Sequence, residues 1–166
     1  MRGAEQTILT YPDARLAQTA QGVAAGDGSV GALVAALTAT MYAAQGRGLA
    51  APQIGDLRRV FVIDTEWKSG TSAPRAFVNP ALDWTSDDRA TLSEGCLSIP
   101  GLSVPVTRPA AVLLSWDTAD GMRAQDRFDG FAAACVQHEL DHLNGVLTLD
   151  HLPPGDREAV LEGYRP

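Results

Sequence analysis

The segment His138-Glu139-Leu140-Asp141-His142 constrains this chain more than any other. Two imidazoles four residues apart stack on one face of a helix, so both can reach a single metal ion. At 3.6 residues per turn, Glu139 projects about 100° around the axis from His138 and about 60° from His142. It can stand beside the ion without ligating it. Two nitrogen ligands, an open coordination position and a carboxylate to move a proton are the parts of a metal-assisted hydrolase. The chain has only three histidines, and two of them fall in this pattern. The flanks predict a helix from about 131 to 143 that is at least partly buried. Phe131-Ala132-Ala133-Ala134-Cys135-Val136 leads in with helix-forming alanines. Leu140, Leu143, Val146 and Leu147 then place apolar residues at helical spacing.

Composition narrows the setting. A length of 166 residues fits one domain, expected to span 1–166, with a core of useful size. Hydrophobic residues at 45% and charged residues at 20% belong to a soluble globular protein. A net charge of −7 leaves no basic patch to neutralise phosphates, which argues against nucleic acid as the main partner. No apolar run is long enough to span a bilayer, and the first residues show no charged n-region followed by an apolar h-region. Cys96 and Cys135 make a poor disulfide framework. The expectation is a cytoplasmic protein whose thiols are structural or ligands.

Residues 30–44 carry Val30, Leu33, Val34, Leu37, Met41 and Tyr42 at helical spacing, with Gly46 as a stop. Gly46 to Gly55 reads as a glycine-bounded loop. Arg59–Asp64 reads as a strand, and Ala76–Pro80 as a second one that ends at its proline. Further strands are expected at Ala90–Glu94, Ala111–Trp116 and Met122–Phe128, the last two joined by a turn at Thr118–Gly121. Pro153-Pro154-Gly155 breaks the chain before a short terminal segment, Asp156–Gly163. Helix, several strands, helix is an α+β pattern, not alternating βαβ units.

Two histidines leave a catalytic metal one protein ligand short. Cys96, Cys135, a carboxylate and His151 are the candidates. Cys135 shares the helix face of His138, but three ligands on adjacent turns crowd one side of the ion, and a small buried cysteine is the simpler reading. Cys96 lies in Glu94-Gly95-Cys96-Leu97-Ser98-Ile99-Pro100-Gly101, between a permissive glycine and a turn, and can approach from the side opposite the helix. His151, close to Pro153-Pro154, reads as an exposed turn residue.

With these segments in view, the chain resembles the peptide deformylases. Three motifs carry the resemblance in the family's order: GRGLAAPQIG at 46–55, EGCLSIPG at 94–101 and QHELDHLNGV at 137–146. Tyr11-Pro12-Asp13, Phe77-Val78-Asn79-Pro80 and Arg108-Pro109 add smaller matches, so the likeness covers about residues 7–152. It implies antiparallel strands packed around a central metal-binding helix, in a single domain. It implies Cys96, His138 and His142 as ligands of one divalent metal ion, iron(II) by preference, with zinc, nickel or cobalt able to replace it. Glu139 matches the catalytic carboxylate. Gln53 matches the glutamine whose amide, with the backbone N–H of Leu97, holds the formyl oxygen. The backbone around Gly48 matches the segment that aligns the substrate as an added strand. Glu94 and Arg108 match positions that pair and brace the Cys96 segment. The implied substrates are N-formyl-methionyl nascent peptides, met at the ribosome by a monomeric enzyme that binds neither nucleic acid nor membrane.

Phe131 and Cys135 lie on or beside the metal-facing side of the helix, where they either line a pocket for an apolar side chain or pack in the core. Two departures bear on specificity. Arg47 stands where the family has a small or aliphatic residue, and it can face solvent, narrow the pocket or pair with a peptide carboxylate. Ser103 lies where many members carry a basic residue. Two other functions are compatible with parts of the pattern. A metalloprotease uses the same histidine helix but takes its third ligand downstream. A non-catalytic relative would bind peptides without cleaving them, against which the full set of Cys96, His138, His142, Glu139 and Gln53 speaks.

Overall fold

The computed structural model of the protein describes residues 3–166. Its helices are α1 (Val30–Ala43), α2 (Gly130–Leu143) and α3 (Pro154–Leu161). Its strands are β1 (Gly48–Ala50), β2 (Val60–Ile63), β3 (Arg75–Thr85), β4 (Arg89–Gly95), β5 (Ser103–Pro109), β6 (Ala111–Asp117) and β7 (Arg123–Asp129). Five strands form one antiparallel sheet in the order β1-β2-β3-β6-β7, and β4 and β5 pair separately as a hairpin. The α+β architecture with α2 at its centre is the expected one.

Strand β2 shows why the core divides as it does. All four residues of Val60-Phe61-Val62-Ile63 are buried, so both faces of the strand are covered. Alternation sends Val60 and Val62 toward Val30, Leu33, Leu37 and Met41 of α1. Phe61 and Ile63 face the other way, into a cluster with Phe77, Trp116, Phe128 and the α2 residues Ala133, Val136, Leu140 and Leu143. Phe61 stacks on Phe77 at 4.6 Å between ring centroids. Each fully buried aromatic of this kind stabilises by about 1.5–3 kcal/mol. A third cluster joins Ile99, Val104 and Val106 of the hairpin region to Leu16, Leu147, Leu149 and Tyr164. It fixes the β4–β5 hairpin, and therefore Cys96, relative to the end of α2.

The structure corrects four local expectations. Gly46 to Gly55 is not a plain loop: β1 pairs with β2, and Ala51–Ile54 makes a 3-10 turn. Strand β3 does not end at Pro80 but runs on to Thr85. Its pairing with β6 shifts register between Val78 and Ala81, so the proline's missing N–H falls in a bulge where the ladder is already interrupted. Strand β5 was hidden by Pro105 and Pro109, which are four residues apart and so lie on one edge of the strand. Strand β5 pairs only with β4, so that edge can be the free one. Finally, Pro153 and Pro154 do not delay the last helix; they occupy the N-cap and first position of α3, where a missing N–H costs nothing.

At the bulge, Asn79 adopts φ +48°, and its side chain accepts from the Val23 N–H (2.8 Å) and donates to the Val23 carbonyl (2.9 Å). Asn79→Ala removes both bonds and leaves a left-handed residue that lacks asparagine's local compensation. The expected cost is about 1–3 kcal/mol, read as a lower urea midpoint. An unchanged midpoint would show that the segment is held by other contacts.

Candidate active site

Strand β7 leads directly into α2, with Gly130 at φ +57° making the bend. The helix is buried on most of its circumference, including Glu139, Leu140, His142 and Leu143. It is therefore a fixed platform for the side chains it carries. The β4–β5 hairpin meets it from the other side and delivers Cys96 just after Gly95. One ligand atom each from Cys96, His138 and His142 fall within 4.8 Å of one another. Cys96 Sγ is 3.4 Å from His142 Nε2, and the two imidazole centroids are 5.0 Å apart. Of the sequence candidates for third ligand, the structure brings Cys96 into this group and leaves Cys135 and His151 out of it.

The donor set fits a divalent transition metal. It offers one soft sulfur and two imidazole nitrogens, and a tetrahedral ion so held keeps a position open. Two buried atoms beside it, Glu139 Oε2 and His142 Nδ1, have no hydrogen-bond partner among the described residues. An unpaired carboxylate oxygen in such a place is costly unless it has a task. Burial pushes the Glu139 carboxyl up to about 7, against the pull of His138 and Arg108. A group that takes and returns a proton near neutral pH needs such a value.

Gly48 is required by this arrangement. A Cβ built on it would lie 2.5 Å from Glu139 Oε1, so only glycine lets β1 pass this close to the carboxylate. Gln53, buried at 2% exposure, is locked at both ends of its amide. Its Oε1 accepts from the Ala50 N–H (2.9 Å), and its Nε2 donates to Ser98 Oγ (3.0 Å). The same nitrogen is 3.9 Å from Cys96 Sγ, which leaves its second N–H on the metal side. Leu97 lies inside the turn that the Ile99 N–H closes on the Cys96 carbonyl (3.0 Å), directly after the ligand cysteine in the chain.

A chain of charged groups braces the site from behind. Glu94 accepts from Arg108 through both oxygens (2.8 and 2.9 Å) and lies 3.0 Å from His138 Nδ1. Burial raises the pKa of Glu94, but His138 and Arg108 outweigh it and hold the carboxyl down at about 2. Arg108 also donates to Asp141 Oδ2 (2.8 Å), which in turn meets His151 Nε2 (2.8 Å). The Nδ1 contact orients the His138 ring and leaves Nε2 for the metal. Glu94 thus has both oxygens engaged with the protein. Ser98 and Asp141 are members of the site that the sequence reading missed, while His151 is the exposed residue expected and reaches the brace only through Asp141. The spacing of Asp141, three after His138 on the same helix, was the available signal.

A cleft of about 750 Å³ opens over Cys96, His138 and Glu139. Arg47, Gly48, Phe131, Ala134 and Cys135 are among its walls. Burial, with the charges of Glu139 and Glu94, pushes the Cys135 thiol up to about 12, so it remains a neutral wall residue. Phe131 is half exposed and carries the Arg47 guanidinium 5.4 Å from its centroid.

An α+β fold with a cysteine–histidine–histidine donor set, a buried carboxylate beside it and an open cleft defines a metal-dependent hydrolase. A sequence profile of the family described as polypeptide deformylase matches residues 5–158, and the chain belongs to that family. It is 44% identical to the peptide deformylase of Phenylobacterium zucineum over 155 residues, covering 93% of this chain and 92% of that one. The peptide deformylase of Brucella suis is 40% identical over 158 residues, with 95% and 90% covered. Among solved structures, peptide deformylase from Ehrlichia chaffeensis superposes with a TM-score of 0.89 at 33% identity, covering 96% of this chain and 94% of that one. The Synechococcus elongatus peptide deformylase in complex with actinonin gives a TM-score of 0.89 at 34% identity, with 99% and 95% covered.

Proposed function

We propose that this chain removes the N-formyl group from the N-terminal methionine of newly made polypeptides and releases formate. The observation that carries the reading is the meeting of Cys96, His138 and His142 beside the buried, unpaired Glu139 Oε2. Cys96, His138 and His142 would hold a divalent cation, which would supply the Lewis acidity that makes water a better nucleophile and polarises a carbonyl oxygen. Glu139 takes the proton of the attacking water and returns it to the amine nitrogen as the C–N bond breaks. The second Gln53 N–H and the Leu97 N–H donate to the formyl oxygen as it becomes anionic; one such donor is worth about 10²–10³ in rate. Strand β1 is the last strand of its sheet, so its outer edge can take an extended peptide as an added strand at Gly48. Phe131 and Cys135 line the place for the methionine side chain, and Arg47 stands at its edge.

Iron(II) is the proposed ion, with zinc, nickel or cobalt as working substitutes. The Cys96 thiolate makes an iron site prone to oxidation. We place the enzyme in the cytoplasm as a monomer with one catalytic domain spanning 1–166, of which residues 1–2 lie outside the described residues. Among the described residues no helix is long and apolar enough to cross a membrane. Nascent chains at the ribosome are the proposed partners, with no direct contact to nucleic acid. The test is formate release from formyl-Met-Ala-Ser by anaerobically purified protein, with metal analysis of the same sample. One metal per chain and steady formate release are expected, with activity lost in air. Stoichiometric metal without formate would refute the reading.

A further inference from the structure

The cleft contains two cations that the protein leaves free. The sequence has 20 Asp and Glu for 13 Lys and Arg, so carboxylates are in excess. Among the described residues, every other arginine donates to an oxygen of the chain, in ion pairs such as Arg58–Asp56 and Arg157–Asp150 or, like Arg59, to backbone carbonyls. The side chains of Arg47 and Lys68 make no such bond. Each rests instead on an aromatic ring, Arg47 at 5.4 Å from the Phe131 centroid and Lys68 at 5.4 Å from that of Trp67. Both line the cleft over Cys96 and Glu139. Their placement is built in, because Trp67 Nε1 donates to the Gly46 carbonyl (2.9 Å), one residue before Arg47.

The carboxylates of the cleft do not cancel this charge. Glu94 is paired with Arg108 and His138, and Glu139 is buried. A guanidinium held over a ring and making no hydrogen bond to the described residues keeps its N–H donors available to bind a carboxylate in two parallel hydrogen bonds. We propose that Arg47 and Lys68 form a carboxylate-reading subsite, so that formyl-methionyl peptides with Asp or Glu directly after the methionine are preferred substrates. The proposal rests on the deformylase reading above and adds a substrate class to it. A carboxylate can come from an acidic side chain or from the terminus of a short peptide; the side chain is the source proposed.

The test compares kcat/KM for formate release from formyl-Met-Glu-Ser, formyl-Met-Gln-Ser, formyl-Met-Ser-Glu and formyl-Met-Ser-Gln, each as C-terminal amide and as free acid. Among the amides, formyl-Met-Glu-Ser is expected to exceed formyl-Met-Gln-Ser by about 1.5- to 5-fold, the range for partly exposed ion pairs. Arg47→Gln and Lys68→Gln should each move that ratio toward one, and Arg47→Lys should keep part of it. Because the ratio is taken within each protein, a general loss of activity does not disturb it. Equal rates for that pair of amides overturn the proposal, including the cases in which only formyl-Met-Ser-Glu or only the free acids are favoured. Absence of formate from every peptide overturns the deformylase reading itself, and the selectivity with it.

Discussion

Glu139→Gln is expected to lower formate release by about 10²–10⁴-fold, the usual contribution of a positioned acid–base group, while the protein keeps its metal. Glutamine preserves the shape of the side chain that Gly48 was selected to admit, so β1 need not move. It also removes a buried carboxylate whose Oε2 has no partner among the described residues, so loss of stability is not the expected source of the effect. Neither Cys96, His138 nor His142 depends on Glu139 for its position, because His138 is held by Glu94 and Cys96 by the hairpin. The comparison therefore isolates proton movement from metal binding. Single-turnover formate release and metal content, measured on the same anaerobic preparation, provide the check. A kcat/KM within tenfold of the parent, at equal metal content, would remove Glu139 from the proton-carrying role. Loss of metal in parallel with activity would instead make it part of the binding site.

The metal helix could be read before any coordinates because its chemistry needs fixed residue types at fixed spacing. His138 and His142 have one helical interpretation, and Cys96 is the cysteine that can reach them from outside the helix. Gln53 was readable only through the motif around it, since a glutamine after a proline carries no chemistry by itself. The parts that escaped reading are those where long-range contact overrides local preference. Strand β1 contains Gly48 and Ala50, poor strand formers that are present because Glu139 and the core leave no room for larger side chains. Strand β5 alternates buried Val104, Val106 and Arg108 with exposed neighbours, a clear strand signature that its two prolines obscured. Of the brace, only the Glu94–Arg108 pair was legible, and only through the family resemblance. His138 meets Glu94 across 44 positions of sequence and Arg108 meets Asp141 across 33, and nothing local marks such partners.

Arg108→Met is expected to destabilise the protein by about 3–5 kcal/mol, the cost of breaking a buried ion pair by removing one partner. Arg108 and Glu94 are 7% and 9% exposed at their side chains, so water cannot replace the lost bonds to Glu94. Asp141 suffers less, because it is 25% exposed and retains His151. Glu94 is left with His138 as its sole charged partner, which disturbs the orientation of a metal ligand as well as the fold. Metal affinity should fall by about 10- to 100-fold, as when an outer partner of a ligating histidine is lost. The pH dependence separates this from simple loss of packing. In the folded parent the Glu94 carboxyl is held at about 2, below its ordinary 4.5. A depressed carboxyl contributes stability that is fully present above 4.5 and is lost as the pH falls toward 2. Without Arg108 that depression shrinks, so the variant's deficit should be largest above 4.5 and should narrow in acid. Urea unfolding of apoprotein at a series of pH values measures it. Adding Glu94→Leu to Arg108→Met should recover part of the stability but none of the metal affinity, since the orphaned charge is gone while the His138 partner is not restored. A pH-independent deficit would mean that Arg108 acts mainly through the packing of its aliphatic stem.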